Sequence, residues 1–269
     1  MIGDTNVKAM PVKPGTEVDT LEAGALVKGN IQGTPWEWKI VHQGNPDPAM
    51  YDASCGGCWL LLENIHSQRV WDATNNDYKN SDIQAWLNGD FFNMLDAGFR
   101  NQVKQVKIPY YNGPGGSGSV VSGAGGLSCK IFLLGGYEVG FTASDNSDIP
   151  HDGAKLSYFD SGTGSAANNK RIAKYNGSTA SWRLRSSSSS QTNNVFHVNA
   201  SGNGINDMLW SKFTDGIRPR PNLAQYRPGG RRIKHSCRIR RCNHGWKKQC
   251  CEWGKQRRNL QDRQPANGL

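Results

Sequence analysis

Three places in the 269-residue chain carry side chains that could do chemistry. Cys55-Gly56-Gly57-Cys58 has the spacing of a redox dithiol or of half a zinc site. The pair does not open a helix in a βαβ unit, and up to residue 226 only Cys129 offers a further thiol. The competing reading is a glycine turn between two small buried thiols. Glu138 follows the apolar run Lys130-Ile131-Phe132-Leu133-Leu134. A catalytic acid or base needs a partner of opposite role, and no second carboxylate stands at a defined spacing from it. The expectation is a carboxylate that caps or hydrogen-bonds a loop. Asp145-Asn146-Ser147-Asp148 offers oxygen atoms of the kind calcium takes but lacks the terminal Glu of a full calcium loop. A solvated loop is the alternative, and no cofactor is expected.

The stretch from Ser181 to Pro219 is where binding residues gather. Trp182 and Leu184 alternate with Arg183 and Arg185, which predicts a half-buried strand with its cations facing out. After the serines 186–190, Phe196 and Val198 share one face of a second strand while Val195, His197 and Asn199 share the other, polar one. Ser201-Gly202-Asn203-Gly204 is turn chemistry. The candidate ligand-binding residues are Asn193, Asn194, His197, Asn199, Asn203, Asn206 and Asp207, with Arg183 and Trp210 as cationic and aromatic anchors. The competing reading is that Asn, Ser and Gly are simply good turn formers.

Other elements must position this stretch. Trp36-Glu37-Trp38-Lys39-Ile40-Val41 alternates as an early strand, and Trp59-Leu60-Leu61-Leu62 is a short buried one. Ser81-Asp82-Ile83-Gln84 has the pattern of a capping box, in which the Ser hydroxyl accepts from the Gln84 amide while the Gln side chain reaches back. Ile83, Trp86, Leu87, Phe91 and Leu95 then give two short helices or one kinked at Asn88-Gly89. Residues 112–126 contain seven glycines and predict a long surface loop, and Lys130–Leu134 predicts a central strand.

Charge divides the chain. From Arg227 onward 13 Lys and Arg face only Glu252 and Asp262, whereas the first 226 residues hold the remaining 19 basic residues against 20 acidic ones. A near-neutral body gives no electrostatic reason to expect nucleic acid. The tail from 220 also holds Cys237, Cys242, Cys250 and Cys251. A Cys/His zinc knuckle, a basic arm able to touch nucleic acid or an acidic surface, and an extension or shifted frame without a selected fold all compete for it, and disorder is expected under each. No run of ~18 apolar residues exists, so no membrane span is expected. Met1-Ile2-Gly3-Asp4-Thr5 signals no secretion, which leads to an expectation of cytoplasmic synthesis.

Several phrases carry a resemblance. Trp182-x-Leu184-Arg185-Ser186, the glycine-rich turn and the closing Gly216-Ile217-Arg218-Pro219 resemble the end of a family of C-type-lectin-like domains of unassigned function, found in gut bacteria and in phage tail-region proteins. Ser81-x-Ile83-x-x-Trp86-Leu87-Asn88 and the Phe132-Leu133-Leu134…Glu138 phrase are similar to motifs of the same family, and Val41–Pro46, Tyr51–Cys55 and Val103–Tyr110 to its phage-tail branch. The ending is more distantly similar to the variable proteins of diversity-generating retroelements, in which variability falls ahead of Gly-x-Arg-Pro, and to formylglycine-generating enzymes. The resemblance implies an α+β, C-type-lectin-like fold over residues 20–219, with short helices packed on a twisted, mainly antiparallel sheet, long Gly/Asn-rich loops, a polar lead over 1–19 and the tail from 220. It further implies a non-enzymatic phage tail or receptor-binding component, carried in the virion, that recognises a bacterial cell-surface glycan or protein and contacts other tail proteins. The alternatives are a bacterial cytoplasmic or surface protein, and an architectural subunit without a ligand. An enzyme of the formylglycine-generating type is a further reading, but its chemistry needs a cysteine pair near the domain's end, and none lies between Cys129 and Cys237.

Overall fold

The structure, a computed structural model, describes residues 21–113, 118–204 and 208–224. The polar lead and the basic tail with its cysteines lie outside the described residues. In chain order the elements are β1 (Leu26–Ile31), β2 (Thr34–Gln43), β3 (Cys58–Leu62), β4 (Ser67–Val70), α1 (Asp82–Trp86), α2 (Phe92–Met94), α3 (Ala97–Arg100), β5 (Val106–Ile108), β6 (Tyr110–Asn112), β7 (Ser119–Val121), β8 (Leu127–Cys129) and β9 (Ile131–Phe132). There follow α4 (Ser165–Arg171), β10 (Ala173–Tyr175), β11 (Ser178–Ala180), β12 (Trp182–Ser187), β13 (Asn194–Val198), β14 (Met208–Trp210), β15 (Thr214–Ile217) and β16 (Arg220–Leu223). The fold is mixed α+β, mostly antiparallel, with few and short helices.

Two five-stranded sheets organise it. The first has the order β1-β2-β3-β16-β9 and the second β14-β13-β12-β15-β4, in which only β12 and β15 run parallel. Trp38, Trp59, Trp71 and Trp182 are fully buried and are the largest pieces of the core. Every residue of β3 is buried, as its unbroken apolar run predicts. The sheets are joined where the Arg185 amide donates to the Leu134 carbonyl at 2.8 Å.

The helical segment starts as the sequence predicts, with the Ser81 hydroxyl accepting from the Gln84 amide at 3.2 Å. Only half of the capping box forms, because Gln84 Oε1 is buried without a partner. At Asn88-Gly89 the helix neither stops nor simply bends. Residues Leu87–Phe91 widen into one π-helical turn between α1 and α2, a bulge that keeps Leu87 and Phe91 in the core.

Four expectations are corrected. The strand expected over Lys130–Leu134 shortens to β9 and is the edge strand of the first sheet, not a central one. Within the 112–126 stretch, β6 and β7 pair, so part of it is a hairpin. The chain does not leave the domain at Pro219. It continues as β16, which sits between β3 and β9. Finally, β12 and β13 are buried on both faces, so neither is a half-exposed strand with a polar outer side.

Candidate functional site

Burial of β12 on both faces requires partners for its two arginines, because an unpaired buried charge is expensive. Arg185 meets Glu138, with Nη1 2.6 Å from Oε2 and Nη2 3.0 Å from Oε1. Its other donors reach the carbonyls of Pro109, Leu133 and Asp152. Glu138 also accepts from the Tyr51 hydroxyl at 2.7 Å and from the Gly135 amide at 2.9 Å, so it does hydrogen-bond a loop while forming a buried ion pair. Burial alone would raise the Glu138 pKa, but the Arg185 and Arg220 guanidinium groups hold it below the usual range. Asp152 accepts from the Ser186 hydroxyl at 2.8 and 2.9 Å. There burial wins over Arg185, and its pKa is pushed up to about 6.

Arg220, expected at the start of the tail, instead completes this cluster from β16. Its guanidinium carbon lies 3.3 Å from the Trp59 ring centroid and 4.4 Å from that of Phe132. Its nearest carboxylate oxygen, on Glu138, is 3.7 Å away. Three of its nitrogens have no hydrogen-bond partner, so the two rings supply much of its stabilisation. Arg218 is likewise internal, donating to the carbonyls of Leu62 and Glu63 and lying over the Trp182 ring. Gly216 faces Trp182 across the parallel pair of β12 and β15, where an added Cβ would lie 2.3 Å from the Ser181 carbonyl oxygen. The Trp-x-Leu-Arg-Ser, Glu138 and Gly-Ile-Arg-Pro residues are therefore parts of one buried frame.

Seven of the nine candidate residues are described, and they divide in three. Arg183, Asn194 and His197 are buried. Arg183 does not face outward as expected; its guanidinium donates to the carbonyls of Leu209, Trp210 and Phe213 at 2.8 to 2.9 Å. Burial lowers its pKa to about 10, with Asp215 opposing. His197 also points inward, with Nδ1 2.9 Å from Asp215 Oδ2, while the Ser181 hydroxyl holds the other Asp215 oxygen at 2.5 Å. Burial pushes the Asp215 carboxyl up, but these hydrogen bonds from His197 and Ser181 outweigh it and keep the pKa below its ordinary value. The Ser181, His197 and Asp215 types suggest nucleophilic catalysis, yet the serine bonds the aspartate and not the histidine, which is not a nucleophile-base order. Asn194 donates its amide to Gln191 Oε1, and its own Oδ1 has no partner.

A second group shapes turns. Asn199 Oδ1 accepts from the Ser201 amide and hydroxyl and from the Asn203 amide, and Asn203 Oδ1 accepts from the Gly204 amide. These are the turn-forming uses that the sequence also allowed. Asn193 and Trp210 form the third group. Asn193 is half-buried, and its carbonyl accepts from the Ser211 amide at 2.8 Å. Trp210 is 44% exposed and stacks on Phe213, which is 49% exposed, with ring centroids 5.9 Å apart. Asn206 and Asp207 lie outside the described residues.

The other chemistry-bearing stretches are occupied internally. Cys55, Cys58 and Cys129 are buried and form no disulfide with one another. Burial pushes the Cys55 pKa up to about 11 and that of Cys129 to about 12, far from thiolate at neutral pH. Gly57 between the first two is required by close approach, since a Cβ there would lie 2.4 Å from the Leu223 carbonyl oxygen of β16. In the Asp145–Asp148 loop, Asp145 accepts from the Thr142 amide and hydroxyl, and Asp148 accepts from the Ser190 hydroxyl. No group of three or more His, Cys, Asp or Glu is placed to hold a metal among the described residues, and none of their helices is long and apolar enough to cross a membrane. A cavity of about 490 Å³ lined by Lys79, Gln84, Asn88, Phe92 and Lys130 includes none of the nine candidates.

Fold and site together define a β-rich α+β domain in which a buried ion-pair frame supports a C-terminal rim of turns and exposed rings. Residues 56–225 match the family described as Domain of unknown function (DUF6273), and the chain belongs to that family. No curated protein and no solved structure matches the chain.

Proposed function

We propose that this protein is a non-enzymatic binding protein of the C-type-lectin-like fold, a phage tail or receptor-binding component that recognises a bacterial surface molecule through its C-terminal loop face. The observation that carries the reading is a contrast between neighbouring residues. From Trp182 to Ser188 every residue is buried, whereas Ser190, Gln191, Thr192, Trp210, Lys212 and Phe213, in and beside the strands β13 to β15 of the same sheet, are exposed. A rigid core with polar and aromatic groups on its loops is the arrangement on which recognition surfaces are commonly built. The resemblance to phage-tail sequences supplies the setting.

The test is direct binding of the purified full chain to bacterial cells and wall preparations. Thr192→Ala with Asn193→Ala, changes outside the buried frame, should weaken binding about tenfold, or ~1.4 kcal/mol, while the melting temperature holds. A wild-type protein that binds no cell or wall preparation would remove the reading.

A further inference from the structure

Among the described residues the exposed large hydrophobic side chains are Val70, Trp210 and Phe213. They come to one place. Val70 pairs with Thr214, the neighbour of Phe213, and the amide of Trp71 donates to the Ser211 carbonyl in the turn between Trp210 and Phe213. The Trp210 and Phe213 rings lie within 7° of parallel. Their backbone is fixed from beneath, because the buried Arg183 spends two donor nitrogens on the carbonyls of Leu209, Trp210 and Phe213. Charge-assisted bonds of this kind are roughly twice as strong as neutral ones.

The polar neighbours are equally defined. Asn194 stands opposite Trp210 in the β13–β14 ladder, a position that brings the two Cβ atoms to within about 5 Å. Its amide is joined to the exposed Gln191, and its buried Oδ1 has no donor. Lys212 is exposed, with its ammonium 4.6 Å from the indole centroid, where it can swing aside or meet an acidic substituent.

Resting on the reading of the C-terminal face given above, we propose that the stacked pair of Trp210 and Phe213 presents an outer ring face as a platform for a pyranose ring of a surface saccharide, with the exposed Gln191 amide beside it to engage hydroxyl groups. Two features favour a sugar over a protein. A stable protein interface takes about 800 Å² from each partner and centres on a desolvated apolar patch. Here two rings and one valine are bordered by the exposed Lys212, Thr214 and Gln191, a small apolar island in a polar surround. A pyranose offers the matching surface, a flat C–H face bordered by hydroxyls, and amides can both donate to and accept from those hydroxyls.

The experiment uses the full chain, wild type and the variants Trp210→Ala, Phe213→Ala and their double, against two sets of probes. The first is an immobilised panel of oligosaccharides built from glucose, galactose, rhamnose, N-acetylglucosamine and N-acetylgalactosamine. The second is bacterial cells treated either with periodate, which destroys vicinal diols, or with protease. The expected result is binding to at least one oligosaccharide, weakened tenfold or more in each variant at an unchanged melting temperature, and cell binding lost after periodate but kept after protease. Cell binding that survives the double substitution, or that protease abolishes, overturns the platform while leaving a binding protein in place. A wild type that binds neither panel nor cells overturns both.

Discussion

Arg185 shows what a single side chain does for this molecule. It is fully buried, shares two hydrogen bonds with Glu138 and ties three further carbonyls from separate loops. A buried pair adds little net stability over an apolar equivalent, but losing one partner leaves the other charge stranded. Arg185→Met should therefore cost about 3 to 5 kcal/mol in denaturant unfolding, and a loss under 1 kcal/mol would mean that the pair is not desolvated. Asp152 makes a separate prediction about pH. Its folded pKa, about 6, stands above the ordinary aspartate value of 3.8, so between these values the native state holds a proton that the unfolded chain has lost. Stability from this group is thus greatest at low pH and declines as pH rises through about 6. Glu138, held low, acts in the opposite sense and loses its contribution only as pH falls below the ordinary carboxylate range. His42 and His66, both lowered by burial, also oppose Asp152 on acidification, so the informative quantity is a difference between variants. Wild type minus Asp152→Asn should gain about 2 kcal/mol between pH 7 and pH 4.5. A flat difference would show that Asp152 is solvated.

The β12–β13 hairpin is held by contacts that arrive from distant elements. Asn76, fully buried, donates to the carbonyls of Gln191 and Asn194 at 2.7 and 2.8 Å and so fixes the loop that carries the polar rim. Asn76→Ala should cost about 1 to 3 kcal/mol and raise amide exchange in residues 188–193 more than in β12. Equal protection in both would show that the loop holds its own shape. The strands themselves were legible, since the alternation of Trp182, Leu184, Phe196 and Val198 marks real strands. Their second face was not, because alternating Arg183 and Arg185 read as a solvent side when nothing nearby in sequence neutralises them. Glu138 lies 47 residues from Arg185, and the carbonyls that hold Arg183 lie 26 to 30 residues away. Pairing at such separations leaves no local period to read. The Asn and Ser turns were visible as turns, but which amide bonds Asn199 or Asn194 would make was not. Phe213, which no local pattern singles out, is as exposed as Trp210.

The two sheets are closed by the last described segment of the chain. β16 pairs with β3 through Asn222↔Trp59 and Leu223↔Cys58, and with β9 through Arg220↔Phe132 and Pro221↔Ile131. It was hidden because prolines at 219 and 221 argue against an interior strand, where a missing N–H breaks the ladder. Here the surroundings compensate. Arg220 fills the space between Trp59 and Phe132, the Asn222 amide donates to the Cys55 carbonyl at 2.9 Å, and the Lys104 amide donates to the Asn222 carbonyl at 2.8 Å. Leu223 is fully buried. The sheet that begins with β1 thus cannot be completed until residues some two hundred positions later are in place, and such non-local closure slows folding. A chain ending at Pro219 loses Arg220, Asn222 and Leu223 together, which leaves Glu138 short of a cation and β3 and β9 without the strand between them. A chain ending at Ala224 retains both five-stranded sheets. The first truncation should lose its cooperative melting transition, and the second should melt within a few degrees of the full chain, both read by circular dichroism. Equal melting of the two truncations would mean that β16 adds nothing to the sheet it bridges.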